Sequence, residues 1–247
     1  MLNLVSNRLS SAYVTKFPPL LGRELGLRAS VSSNWTRSAF SSPDLNQLIA
    51  IPKRMKYRTI LLFGAPGAGK GTQGKILGTI PNFYHCACGD VFRNLTIESK
   101  IGRVFIDYSS RGELVPDEST IQLWRESIEN TTQVGRFRPD TDTLVLDGIP
   151  RTPHQAEMLQ DTLNVIAIFY LRCTNVDNLV RRMQRRALRE NRLDDASLEV
   201  IKSRLKTYEK ETKPVLNFYG KHLVHRIDAD QAPSKVLSDI LRHIVKV

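Results

Sequence analysis

Gly64-Ala65-Pro66-Gly67-Ala68-Gly69-Lys70-Gly71-Thr72-Gln73 follows directly on the apolar run Thr59-Ile60-Leu61-Leu62-Phe63. The run predicts a buried β-strand, and the residues from Lys70 onward predict a helix. Between them lies the spacing G-x-x-x-x-G-K of a phosphate-binding P-loop. Its glycines let the backbone curl until successive N–H groups point inward at phosphate oxygens. The N-terminus of the following helix adds a dipole that favours anions. Lys70 supplies a mobile cation for the outer phosphates. Strand, loop, lysine and helix in this order are more than a glycine-rich turn requires.

Working outward, the chain alternates. Strands are predicted at 59–63, 83–86, 144–147, 165–171 and 223–227. Helices are predicted at 70–79, 90–96, 102–110, 118–129, 152–163, 176–188, 196–219 and 234–247. Such alternation implies an α/β fold with a parallel sheet covered on both faces. Ligands of these sheets bind beyond the carboxyl ends of the strands. Gly64 and Asp147-Gly148 both fall at such ends and are expected to face one cleft. Segment 89–131 has no strong strand and reads as a helical insertion. Segment 186–195 is polar and reads as a short mobile loop. No internal repeat is apparent.

The 247 residues allow one or two domains, and 41% are apolar, with no run near the ~20 residues of a membrane span. Cys86, Cys88 and Cys173 do not suggest a disulfide framework, and one C-x-C without a second pair argues against a four-ligand zinc site. The net charge of +11 fits nucleic acid, a membrane surface or a site for several phosphates. Residues 1–54 hold seven Lys/Arg, two acids and nine serines, with no helical or strand period. They read as a transit peptide, as sequence upstream of a true start at Met55, or as a disordered tail. All three predict little contact with the fold. A start at Met55 implies a cytoplasmic protein, and a transit peptide a mitochondrial or plastid one.

Further residues carry chemistry. Asp147-Gly148-Ile149-Pro150-Arg151 ends an apolar run. An aspartate at a strand end beside a P-loop is suited to hold Mg²⁺ through water. Arg151 offers a planar donor fork to a phosphate. Gln155 is expected one turn into the next helix, near the same mouth. Arg182, Arg186 and Arg189 share one helical stripe, and Arg192 and Arg204 follow. Alone, such a stripe is usually a solvated face. Beside a P-loop it reads better as clamps on a transferring phosphoryl group. Asp194-Asp195 are placed to order the loop by pairing with these arginines.

With those residues in hand, residues 55–247 resemble the adenylate kinases of the nucleoside monophosphate kinase family. The matching stretches are Gly64–Gln73, Cys88–Arg93, Gly112–Asp117, Asp147–Arg151 with Gln155, and 191–195. They occur in family order and spacing. The resemblance implies a P-loop NTPase-type three-layer α/β/α domain with a five-stranded parallel sheet. Within it, 84–113 resemble the insertion that binds the nucleoside monophosphate, and 186–195 the lid in its short form, without zinc-binding cysteines.

Position by position, the resemblance assigns Gly67, Ala68, Gly69, Lys70, Gly71 and Thr72 to the ATP phosphates. Arg182, Arg186 and Gln231 go to ATP, Arg186 and Gln231 near its base. Arg93 and Arg151 go to the AMP phosphate. Cys88, Glu113, Leu114, Val115, Gly148, Ile149, Pro150 and Gln155 go to the AMP pocket, and Arg192 and Arg204 to the moving phosphoryl. The catalytic set is Lys70, Arg151, Arg186, Arg192 and Arg204. Three departures stand out: Cys88 for the usual Thr, Ile149 for the usual aromatic, and Gly71 where most P-loops carry Ser or Thr. The last is normal in this family and implies Mg²⁺ held by phosphates and water, with Asp147 nearby, rather than by a direct protein ligand.

The implied activity is ATP + AMP ⇌ 2 ADP with Mg²⁺, by a monomer whose partners are ATP, AMP and ADP, not nucleic acid or membrane. Within the family the alternative is a UMP/CMP kinase, whose members usually carry Ala at the Cys88 position and Asn at the Gln155 position. Outside it, the basic charge leaves a nucleotide-dependent RNA-binding protein.

Overall fold

The computed structural model describes residues 56–190, 192, 195 and 197–245, so the extension 1–54 lies outside the described residues. Five strands form one sheet: β1 (Tyr57–Gly64), β2 (Phe83–Ala87), β3 (Thr143–Asp147), β4 (Leu163–Arg172) and β5 (Val224–Asp228). Their spatial order is β2-β3-β1-β4-β5 and every pairing is parallel. β3 is buried throughout and β1 from Thr59 onward. Neighbouring residues of a strand face opposite sides, so continuous burial means that both faces are covered.

The helices are α1 (Lys70–Leu77), α2 (Cys88–Arg93), α3 (Lys100–Ser110), α4 (Asp117–Gln133), α5 (Pro153–Leu159), α6 (Val176–Glu190), α7 (Leu198–Thr207) and α8 (Pro233–Ile244). α4 sends Ile121, Trp124 and Ile128 into the same core that Leu144, Leu146 and Phe169 of the sheet enter. The chain leaves β1 toward β2 on one side, and leaves β3 toward β4 on the other. The crevice of this fold therefore opens between the carboxyl ends of β1 and β3. Register places Leu62 opposite Asp147, so Gly64 and Asp147 flank that crevice, as expected from the sequence.

Four element boundaries differ from expectation. The helix expected over 152–163 stops at Leu159, because Leu163 is drawn into the sheet opposite Tyr57. The helix expected over 196–219 is α-helical only to Thr207, then a π-turn (Tyr208–Thr212) and a 3₁₀ turn (Lys213–Asn217). Pro214 explains the change, since it has no N–H and its ring clashes with the carbonyl four residues back. Tyr84–Ala87 pair with β3, as the strand predicted at 83–86 requires, but α2 spans Cys88–Arg93 rather than 90–96. Finally, α6 continues to Glu190, so 186–190 are helix rather than loop. Arg, Leu and Glu are good helix formers, and polarity alone did not break the helix.

Candidate active site

The P-loop is shaped by its glycines at one decisive point. Gly69 has φ = 100° and forms the N-cap of α1 without any side-chain cap. Only glycine takes that conformation without strain, and it leaves the first N–H groups of α1 open toward the loop. No acidic residue sits in the first turn of α1 to compete for them. Lys70 folds back over the loop and donates from Nζ to the carbonyls of Gly64 (2.8 Å) and Ala65 (3.1 Å).

Lys70 is where the cleft converges. Burial pulls its pKa down to about 8, against a raising influence from Asp147 and further lowering from Arg151, Arg186 and Arg204. Four side chains from β3, the loop after it, α6 and α7 therefore act on one ammonium at the end of β1. Asp147 Oδ2 lies 3.6 Å from the point where residue 71 would carry a Cβ, against the start of α1. Among the described residues, no cluster of three His, Cys, Asp or Glu is arranged to hold a metal ion.

Arg151 is held by its own turn. Its Nε donates to Gly148 O at 2.8 Å, and a Cβ on Gly148 would sit 3.2 Å from Arg151 Nη2. Gly148 has φ = 81°, so glycine both permits the turn and leaves room for the guanidinium. The backbone N–H of Arg151 donates to Gln155 Oε1 at 2.7 Å. Gln155 is one turn into α5, as expected, but only 1% exposed. Its Nε2 donates to Asp117 Oδ1 at 2.7 Å, and Thr152 Oγ1 donates to Asp117 Oδ2 at 2.6 Å. Each end of the Gln155 amide keeps one free hydrogen-bond valence.

Cys88 opens α2 and is buried; burial pushes its thiol up to about 11, with Arg151 and Arg93 opposing. It is thus a neutral group that feels both arginines assigned to one phosphate. Arg93 is paired with Asp90 on its own helix. Ile149 and Pro150 are buried behind the turn. Leu114 and Val115 are half-buried in the α3–α4 connection, and Glu113 is exposed and paired with Arg111 at 3.0 Å.

The arginines of α6 and α7 meet on one acid. Arg186 donates from Nε (2.9 Å) and Nη2 (2.5 Å) to Asp195 Oδ2, and Arg204 pairs with Asp195 Oδ1. The Asp195 side chain is 0% exposed. A carboxylate so buried is tolerable only because two cations satisfy both of its oxygens. Arg192 pairs with Glu190 at 3.6 Å. Arg189 of the same stripe is exposed. Arg182 and Gln231 form a separate group at the β5–α8 turn: Arg182 Nη1 donates to Ala229 O at 2.9 Å, and Gln231 Nε2 to Asp239 Oδ2 at 2.6 Å.

Asp117 was missed by sequence reasoning. It opens α4 after Pro116, where an acid reads as an ordinary helix start. Its partners lie 35 and 38 residues away, beyond any local signal.

A P-loop on the central strand of a five-stranded parallel sheet, facing a ring of arginines across the switch-point crevice, defines a P-loop phosphotransferase. The sequence model of the family described as adenylate kinase matches residues 62–224. The adenylate kinase of Cyanothece sp. is 39% identical over 193 residues, covering 75% of this chain and 94% of that protein. That of Ruminiclostridium cellulolyticum is 34% identical, covering 66% and 87%, and that of Flavobacterium psychrophilum 32%, covering 75% and 98%. The chain belongs to the adenylate kinase family.

Proposed function

We propose that the protein transfers the terminal phosphoryl group of ATP to AMP, giving two ADP, and so balances adenine nucleotides. The observation that carries this reading is the convergence of Asp147, Arg151, Arg186 and Arg204 on Lys70 at the mouth of the P-loop. The likeness to proteins named adenylate kinase supports AMP over CMP, UMP or RNA as the acceptor.

In this reading Gly67 to Thr72 wrap the ATP phosphates, and Arg182, Arg186 and Gln231 bound the rest of ATP. Arg93 and Arg151 hold the AMP phosphate, with Cys88, Glu113, Leu114, Val115 and Gly148 to Pro150 around the nucleoside. Gln155 offers its remaining donor and acceptor to an adenine edge. The monophosphate binds to the insertion 84–113, and 186–195 act as a short lid.

An AMP phosphate oxygen attacks the γ-phosphorus in line, and the bond to the bridging oxygen of the leaving ADP breaks. A phosphate dianion is already a nucleophile, so no strong general base is required. Lys70, Arg186, Arg192 and Arg204 meet the charge on the moving group, and Arg151 aligns the attacker. Mg²⁺, when bound with ATP, would supply charge neutralisation of the phosphates. The residues fit such an ion held through phosphates and water, with Asp147 as the nearby carboxylate against Gly71. Closure excludes water, which would otherwise take the phosphoryl group.

The reading extends to a monomer in the cytoplasm, or in an organelle if 1–54 are a transit peptide. The test is phosphorylation of AMP, CMP and UMP by MgATP, followed as ADP formation. AMP is expected to turn over fastest. Faster turnover of CMP overturns the assignment.

A further inference from the structure

One acid outside the phosphate-binding set gathers an unusual number of donors. Asp230, in the turn between β5 and α8, accepts from Cys173 Sγ at 2.7 Å and from Asn178 Nδ2 at 3.3 Å on Oδ1. Its Oδ2 accepts from the backbone N–H and the hydroxyl of Thr174, both at 2.8 Å. Cys173 and Thr174 follow β4, and Asn178 stands in the first turn of α6. These donors hold the Asp230 carboxyl well below the usual carboxylate range. A single carboxylate thus fastens the β5–α8 turn to the start of α6.

That junction borders the region assigned to the donor nucleotide. Ala229, the residue before Asp230, accepts from Arg182, and Gln231, the residue after it, is tied back to Asp239. Ala229 N–H also donates to Arg172 O at 2.8 Å, so the turn is anchored on the β4 side too. Arg182 is joined to the turn through Ala229 O, and the Asp230 latch ties the same turn to Thr174 and Asn178. The latch touches none of the residues assigned to AMP.

We infer that Asp230 is a positioning residue for the ATP base: through Cys173, Thr174 and Asn178 it fixes the β5–α8 turn against α6, and with it the fit and base selectivity of the donor subsite. This rests on the proposed phosphoryl transfer from ATP. Loss of the latch leaves the phosphate-binding residues in place, so the binding of ATP suffers while chemistry at saturation persists. GTP, which gains less from a subsite fitted to adenine, is affected less.

The test pairs calorimetric titration of ATP and GTP with steady-state kinetics on Asp230→Ala, Thr174→Val and Asp230→Asn. Asp230→Ala is expected to raise the Kd and KM for ATP about tenfold, as loss of about 1.4 kcal/mol requires. The KM for AMP and kcat at saturating ATP stay within twofold, and the ATP-to-GTP affinity ratio falls. Thr174→Val, which removes one donor and keeps the backbone N–H, gives a rise of about threefold and covers the case in which Asp230→Ala does not fold. Asp230→Asn, which keeps an acceptor oxygen, restores part of the loss. Unchanged ATP affinity in the folded variants, or an equal rise in the KM for ATP and AMP, overturns the latch. Failure of the wild-type protein to phosphorylate AMP overturns the activity instead, and is seen before any variant is made.

Discussion

The cleft has two cationic regions built on opposite principles. The P-loop is local: ten consecutive residues place Lys70, and its Nζ is held by carbonyls only five and six positions back. The arginine pair is assembled at a distance: Arg186 stands on α6, Arg204 on α7, and Asp195 between them in sequence binds both. Among the described residues no acid is bonded to Lys70, which carries a lowered pKa of about 8; the arginines share a buried carboxylate. A group that must meet phosphate in a fixed place is kept by backbone and left electrostatically hungry. The groups that the proposed function places on a short lid are kept together by a counter-ion.

The largest expected break falls on the local side. Lys70→Met should lower turnover on the order of 100- to 1000-fold, as loss of a transition-state donor does. The same change should raise stability at pH 7. Burial of the ammonium lowers its folded pKa from 10.5 to about 8, so a penalty is fully present below pH 8 and relieved as pH rises toward 10.5. Removing the charge recovers at most about 3 kcal/mol. A variant that is both inactive and less stable in thermal melting would contradict this account.

Next comes the non-local side. Asp195→Ala should cost about 100-fold in kcat, because both guanidinium groups lose their place by an ångström or more. Their side chains are 27% and 16% exposed, so solvent softens the loss of stability to about 2 kcal/mol. Stability falls here and rises for Lys70→Met, and urea melts of the two variants side by side read that difference in sign.

A smaller effect is expected at Asp117. Asp117→Ala frees Gln155 Nε2 and Thr152 Oγ1, and should raise the KM for AMP about tenfold with the KM for ATP unchanged. An equal change in both would place Asp117 outside the acceptor pocket. The smallest effect is the pH profile. Lys70 of the free protein loses its proton near pH 8, so kcat/KM for ATP should fall about fivefold from pH 8 to 9. The residual activity of Lys70→Arg should show no such fall, since arginine does not titrate there.

All five strands and eight helices were legible in outline, because a buried parallel strand and an amphipathic helix each write their period into local sequence. What was misread lay where tertiary contacts outrank local preference. Leu163 joined the sheet opposite Tyr57 instead of extending α5. Tyr208–Thr212 widened into a π-turn ahead of Pro214, where local propensity had suggested one long helix. In the site, the glycines, Lys70 and the arginines were readable because each is a chemical type at a known spacing. The partners that hold them in place were less so. Asp195 could be named as a candidate, but its burial between two arginines could not. Asp117 and Asp230 are single acids in turns and helix starts, where acids are common.

The sequence by itself determined the parallel α/β order, the P-loop and the identity of the cations, since these follow from short-range pattern and side-chain chemistry. The tertiary structure alone decided which cations converge, and which acids hold them. Asp147 faces Gly71, Asp195 bridges Arg186 and Arg204, and Asp117 binds Thr152 and Gln155 only because the folded chain brings separate elements within 4 Å. Charges act through distance in space, and spacing along a chain records that distance only within one loop or one turn of helix.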